Sequence, residues 1–295
     1  MKLLILAIFA VAVASAVENY DGPEYDPVDW SRVVPVYDLP GFWEGTVYEK
    51  LAPKSNPRSS RIVGGHEVVP HSHPYQVYLL LELLLGTSAC GGSVISETVA
   101  LTAAHCINTA RRVTVVAGGH NIQQIEPSQQ RRTVEAVNLR VHPEYSRINV
   151  LNDIGTIILD NPLTFNEFVQ PSILEPPSSN TFVGFTSQAT GWGRVADNAP
   201  TSPVLRVVNN VILANAICAE TYGNVSINNA TICIQTTGGR GVCNGDSGGP
   251  LTVVDGQRIQ VGIASFVHSA GCESGFPHVF ERVGAHLDWI RDNSA

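Results

Sequence analysis

The sequence predicts an all-β fold, a sandwich or barrel, with one helix at its C-terminal end. Three observations predict it. Short runs rich in Val, Ile and Thr occupy residues 113–117, 133–141, 154–159, 204–213 and 257–264, each bounded by Gly, Pro, Asn or Asp. These runs recur from residue 62 onward with turn signals between them, the spacing of a sandwich or barrel. Residues 283–293 instead place Val283, Leu287 and Ile290 at helical spacing, as a helix packed against the β structure. The 295-residue chain is 44% hydrophobic and 15% charged, enough apolar surface for one large domain or two small ones.

The first sixteen residues read as a secretory leader. Lys2 supplies the positive start, residues 3–14 an apolar run, and Ala14-Ser15-Ala16 a small-x-small cleavage pattern. The run is shorter than the roughly 20 apolar residues a membrane span needs. Residues 77–85 are also strongly apolar, but they are short and contain Glu82, which fits a buried strand pair or a strand plus turn. A net charge of −8 argues against a nucleic-acid or anionic-membrane surface. The expectation is a secreted, extracellular protein.

Residues 17–61 form a different kind of segment. They hold no cysteine, eight acidic and five basic residues, and many prolines. The aromatic and aliphatic residues at 30–43 suit either a stretch that docks on a surface or a disordered spacer. The end, Pro53-Lys54-Ser55-Asn56-Pro57-Arg58-Ser59-Ser60-Arg61, is polar and proline-broken, the composition of an exposed site of proteolysis.

Six cysteines follow: Cys90, Cys106, Cys218, Cys233, Cys243 and Cys272. An even number in an oxidising compartment predicts three disulfides, whose pairing spacing alone does not choose. A zinc site has neither a C-x-x-C pair nor an H-E-x-x-H helix to support it.

The strongest chemical signal is Gly245-Asp246-Ser247-Gly248-Gly249-Pro250. A serine between glycines suits a tight turn whose Gly245 and Ser247 amides point at one spot, where they stabilise an oxyanion. A hydroxyl nucleophile needs a base. His105, in Thr102-Ala103-Ala104-His105-Cys106, follows an apolar run and sits beside a disulfide cysteine. The imidazole needs an orienting acceptor, and Asp153 stands at the mouth of the apolar run 154–159. Taken singly, His105 reads as structural and Asp153 as a strand cap as readily as either reads as catalytic.

Together with Ile62-Val63-Gly64-Gly65 and Gly191-Trp192-Gly193, these strings resemble, in order and spacing, the chymotrypsin-like serine proteases over residues 62–295. The resemblance implies two packed six-stranded antiparallel β-barrels with a C-terminal α-helix, and the triad His105, Asp153 and Ser247 in the cleft between them. The order His, Asp, Ser matches this family and not the serine-first hydrolases. It also implies disulfides Cys90–Cys106, Cys218–Cys233 and Cys243–Cys272.

The same resemblance divides the chain into a signal peptide at 1–16, an activation propeptide at 17–61 and a protease domain at 62–295. Cutting after Arg61 frees the amino group of Ile62, which inserts beside Asp246. A buried ammonium is costly without an opposite charge, so the pair forms only once the end is free. The activator is then a trypsin-like protease, the partners are protein or peptide substrates and possible protein inhibitors, and the enzyme is a monomer. With no cysteine to tether it, the released piece is expected to leave. The alternative class is an inactive homologue that binds a partner.

By position in the family, Gly241 lies at the base of the primary pocket, Val242, Asn244, Ser265, Phe266 and Val267 on its walls, and His278 near its back. Glycine at 241 removes the counter-charge that trypsins offer Arg and Lys. Three preferences remain open: large apolar side chains, small or medium ones if Val267 and His278 shorten the pocket, or acidic ones if His278 presents a proton. The strings Ser265-Phe266-Val267 and Gly271-Cys272-Glu273-Ser274-Gly275 look most like arthropod chymotrypsin-like and brachyurin-type, collagenolytic members. His278 departs from the acidic residue that crustacean-type collagenases carry there. No metal or cofactor is implied, since residues 118–122 lack the glutamate of a calcium loop. Asn224 and Asn229 head two glycosylation sequons, in what reads as a polar loop.

Overall fold

A computed structural model describes residues 28–42, 44–46, 64–84, 86–177 and 180–295. The leader, Arg61, Ile62 and Val63 lie outside the described residues. The chain divides after Ser31, and residues 32–295 form one unit.

The Val-, Ile- and Thr-rich runs build two antiparallel sheets, and the central strands are buried along both faces. The first contains β3 (Gln76–Leu83), β4 (Gly86–Ser96), β5 (Val99–Thr102), β6 (Arg112–Ala117), β7 (Gln130–Glu135), β8 (Leu139–Val141) and β9 (Gly155–Ile158), paired in the order β7-β6-β3-β4-β5-β9-β8. The apolar run at 76–83 is a strand leading into a turn. The run expected at 133–141 is not one strand. A single 3-10 turn at Ala136–Asn138 breaks it into β7 and β8, which pair with different neighbours, β6 and β9. These two pieces are the edges of the sheet, so three residues of chain join its edges and the sheet curls into a barrel-like form.

The second sheet contains β10 (Thr186–Gly191), β11 (Arg206–Leu213), β12 (Thr231–Ile234), β13 (Pro250–Asp255), β14 (Gln257–Phe266) and β15 (His278–Arg282). Pairing runs β10-β13-β14-β15-β12-β11 and returns to β10, a closed six-strand barrel, and the short β2 (His66–Glu67) adds to β11. The first core is built on Leu79, Leu81, Leu101 and Ile157, and the second on Ile212, Ile232, Leu251 and Phe280. Each such buried side chain contributes roughly 1.5–3 kcal/mol.

Among the described residues three helices complete the unit: α1 (Ala104–Ile107), α2 (Asn215–Ser226) and α3 (Leu287–Asp292). The C-terminal helix is shorter than expected, because residues Val283–Ala285 form a 3-10 turn before it, and Ile290 of α3 packs on the first core. Helix α2, kinked at Gly223 (φ 78°), was not legible in the sequence. It places Asn224 in its last turn and not in a loop, while Asn229 lies in the turn after it; both side chains are exposed.

The two sheets are fastened together by polar contacts between them. Trp192 is fully buried and donates its indole N–H to the His120 carbonyl at 2.9 Å, and the Thr190 hydroxyl bonds the Gln76 side chain at 2.6 Å. The disulfides are Cys90–Cys106, Cys218–Cys233 and Cys243–Cys272. Residues ahead of position 62 also pack here: β1 (Val33–Pro35) pairs in parallel with β4, Val34 opposite Ser88. Of the two expectations for residues 30–43, the docked one describes residues 33–42.

Candidate active site

His105 lies in α1, directly after β5, with the Cys90–Cys106 disulfide tying that turn to β4. Asp153 precedes β9, the strand paired with β5, so the two residues meet at the same end of adjacent strands. The His105 Nδ1–Asp153 Oδ2 distance is 2.7 Å, and the His105 backbone N–H donates to Asp153 Oδ1 at 2.9 Å. A third bond comes from the Ser265 hydroxyl to Oδ2 at 2.6 Å. Asp153 is entirely buried. A carboxylate without solvent is stable only with such donors, and three of them also fix its orientation. They set the imidazole too: with the proton on Nδ1 facing the carboxylate, Nε2 carries the free lone pair. Nε2 is buried and makes no hydrogen bond among the described residues.

Ser247 sits on the turn between Cys243 and β13. The Gly91 N–H donates to the Ser247 carbonyl at 2.7 Å, and a side chain at Gly248 would collide with Thr102 and the Ala103 backbone, immediately before His105. Glycine at 248 (φ 78°) therefore lets the serine turn press against the histidine turn. The amides of Gly245 and Ser247 donate to no described residue, whereas the neighbouring Asp246 and Gly248 amides bond Cys243 and Ala264 carbonyls. Two unspent donors on one turn suit an anion.

Asp246 points the other way. Its carboxylate accepts from the Gly193 N–H at 2.7 Å and the Cys243 N–H at 2.9 Å. Side chains at Gly191 or Gly193 would overlap it, which is why Gly191-Trp192-Gly193 has glycine at both positions. Among the described residues no cation pairs with it. Burial raises its pKa to about 6, against the opposing pull of the two amides.

A cavity beside Ser247 is lined by Val242, Asn244, Ser265, Phe266 and Val267. Gly241 and His278, expected at its base and back, do not line it. The His278 ring occupies the space that a side chain at Gly241 would take. His278 is fully buried, neither ring nitrogen makes a hydrogen bond of normal geometry among the described residues, and burial lowers its pKa to about 4, opposed in part by the nearby Cys272 backbone. The ring is therefore neutral near pH 7. Two further residues reach the site that the sequence reading did not place there. The Tyr37 ring lies 5.0 Å from that of His105, and Phe42 lies 6.0 Å from it. The aromatic cluster at 30–43 was their one signal.

The family model described as Trypsin matches residues 62–290. Brachyurin of Leptuca pugilator is 44% identical over 231 residues, covering 78% of this chain and 97% of its own. Chymotrypsin of Phaedon cochleariae is 34% identical over 298 residues, covering 100% of this chain and 98% of its own. A solved collagenase structure superposes with a TM-score of 0.70 at 33% identity, covering 78% of this chain and 97% of that one. With the buried His105–Asp153 pair beside the Ser247 turn, these matches place the chain in the Trypsin family, as a chymotrypsin-like serine endopeptidase.

Proposed function

We propose that the chain is the secreted precursor of an endopeptidase that cuts after apolar side chains, activated by a trypsin-like protease acting after Arg61. The observation that carries the chemistry is the 2.7 Å contact of His105 Nδ1 with a fully buried Asp153, which leaves Nε2 as the free base. Ser247 Oγ attacks the substrate carbonyl as Nε2 takes its proton. The developing oxyanion is held by the Gly245 and Ser247 amides. His105 then returns the proton to the leaving amine, and an acyl-enzyme remains. Water, deprotonated by the same nitrogen, releases the acid and restores the serine. Asp153 holds the imidazole in place and stabilises the imidazolium.

Activation turns on Asp246. A buried carboxylate whose pKa is raised to about 6 lacks compensation for its charge. The ammonium of Ile62, once freed, supplies it, and the turn carrying Gly245 and Ser247 settles around the new pair. Residues 1–16 act as the secretory signal, 17–61 as the propeptide and 62–295 as the enzyme, a monomer open to protein inhibitors.

Pocket chemistry supports the apolar preference. Its lining residues carry no charge, and we read the neutral His278 ring, packed against Gly241, as limiting its depth, which favours small to medium apolar residues over the largest ones. A histidine with a pKa of about 4 is not a cation near neutral pH, so the acidic preference loses its basis. The test is hydrolysis of peptides varied only at the residue before the cut, by the chain cleaved after Arg61, with Ser247→Ala as control. Turnover after apolar residues, absent in the control, is the expected result. Turnover only after Arg or Lys overturns the preference, and none on any peptide overturns the enzyme.

A further inference from the structure

Residues 33–42 lie across the site just described. Val36 and Tyr37 are 3% and 8% exposed, as deeply buried as core residues. The Tyr37 ring faces His105, its hydroxyl donates to the Ser265 carbonyl, and its side chain helps line the cavity that holds Ser247. Phe42 packs edge-on against Tyr37 at 4.6 Å. Pro35 stands at the oxyanion turn, 3.6 Å from where a Cβ on Gly245 would lie. The residues this segment covers are themselves closed to solvent: His105 and Ser247 are each 4% exposed.

Polar anchors hold the segment at both ends of that plug. The Ser88 hydroxyl donates to the Val34 carbonyl at 2.8 Å where β1 pairs with β4. Asp38 accepts from Arg194 at 2.7 Å and from Asn244, beside the serine turn, at 2.8 Å. Arg147 donates to the Gly41 carbonyl at 2.8 Å and to that of Phe42. The segment is placed unlike a substrate. A scissile bond must put its carbonyl oxygen on the Gly245 and Ser247 amides, yet among the described residues neither amide receives a carbonyl from this stretch. It is the Tyr37 side chain that lines the cavity with Ser247.

We infer that residues 33–42 are an inhibitory strap, with Tyr37 lodged between His105 and the Ser247 cavity, which keeps the cleft shut until the strap departs. The inference rests on the reading of Arg61 as the cut. In the intact chain the strap is held at high effective concentration by its own linkage. After the cut no cysteine retains it, because residues 17–61 contain none. It then binds as a separate peptide, and activity follows its dissociation, not the cut alone. The expectation that the released piece simply leaves is replaced by a second, concentration-dependent step.

The test uses full-length chain cut after Arg61, assayed on a small peptide substrate before and after the released segment is removed by gel filtration. A synthetic peptide of residues 30–46 is then added back, and its binding is read separately by fluorescence anisotropy on cut Ser247→Ala chain. The expected results are a rise in rate on removal, inhibition by the added peptide that competes with substrate, and a loss of at least about tenfold in its affinity with Tyr37→Ala. Strap-free enzyme that turns over substrate but neither binds nor is slowed by the peptide overturns the strap and leaves the protease reading standing. Equal binding of the Tyr37→Ala peptide overturns the role of Tyr37 as the plug. Strap-free chain without turnover, which still binds the peptide through Tyr37, supports occupancy of the cleft and overturns the protease reading instead.

Discussion

The Ser265 hydroxyl and His105 Nδ1 share one acceptor, Asp153 Oδ2, at 2.6 and 2.7 Å. Ser265 is a pocket residue on β14 of the second sheet, and Asp153 precedes β9 of the first. The bond therefore fixes the carboxylate from across the cleft and couples the orientation of the base to the docking of the two barrels. Ser265→Ala should lower kcat by about tenfold, the value of one hydrogen bond to a buried charge, and leave KM for a small peptide nearly unchanged. Steady-state kinetics check the split; a change confined to KM contradicts it.

Asp246 makes the uncut chain pH-sensitive. Its ordinary pKa is 3.8, and burial raises it to about 6 in the folded chain. Between those values the folded chain keeps a proton that the unfolded chain has released, so stability falls as pH rises from about 4 to about 6. Above that range the loss is complete, at about 3 kcal/mol. Asp246→Asn should remove this slope. Urea unfolding of the uncut variant at pH 4 and pH 7 should show it matching the parent at the lower pH and exceeding it at the higher. Cutting after Arg61 should abolish the parent's deficit, because the new ammonium favours the ionised carboxylate.

His278 acts on specificity through volume. With the ring gone, the space behind Gly241 opens to the pocket. His278→Ala should raise kcat/KM for Phe relative to Val before the cut by about tenfold, within the 1–3 kcal/mol that about one methylene commands in an apolar pocket. In the parent the ratio should not vary between pH 6 and pH 8, since the ring is neutral throughout. A ratio that changes with pH in that window contradicts the assignment of a neutral His278.

The Cys243–Cys272 disulfide closes a 29-residue separation that includes Ser247 and the pocket walls Ser265, Phe266 and Val267. Chain entropy assigns such a loop about 3–4 kcal/mol. Replacing both cysteines with alanine should lower the thermal midpoint, measured by calorimetry, and reduce activity more than stability alone explains, because two walls of the site are no longer joined.

Much of the fold was legible because runs rich in Val, Ile and Thr and the turn residues that bound them act locally. The strands at 113–117, 154–159, 204–213 and 257–264 appear in the structure as β6, β9, β11 and β14 with ends moved by one or two residues. What failed depended on partners distant in sequence. Residues 133–141 read as one run, yet β7 and β8 separate because their two halves pair with different strands. Helix α2 hid because its apolar residues show little helical periodicity and Gly223 interrupts it. The site strings stood out because glycine at 245 and 248 and at 191 and 193 answers a conformational or steric demand. Tyr37 was the least legible element. Its role comes from a fit against His105 and Ser265, and no local pattern within residues 17–61 encodes that surface.

The central claim is that Ser247 is a nucleophile activated by His105. Reaction of the cut, strap-free chain with a sulfonyl fluoride, followed by intact and peptide mass spectrometry, tests it most directly. The account predicts one adduct, on Ser247, formed in step with loss of peptidase activity, and slowed by several orders of magnitude in His105→Ala. Full inactivation with the adduct on another residue, or an undiminished labelling rate in His105→Ala, would contradict it.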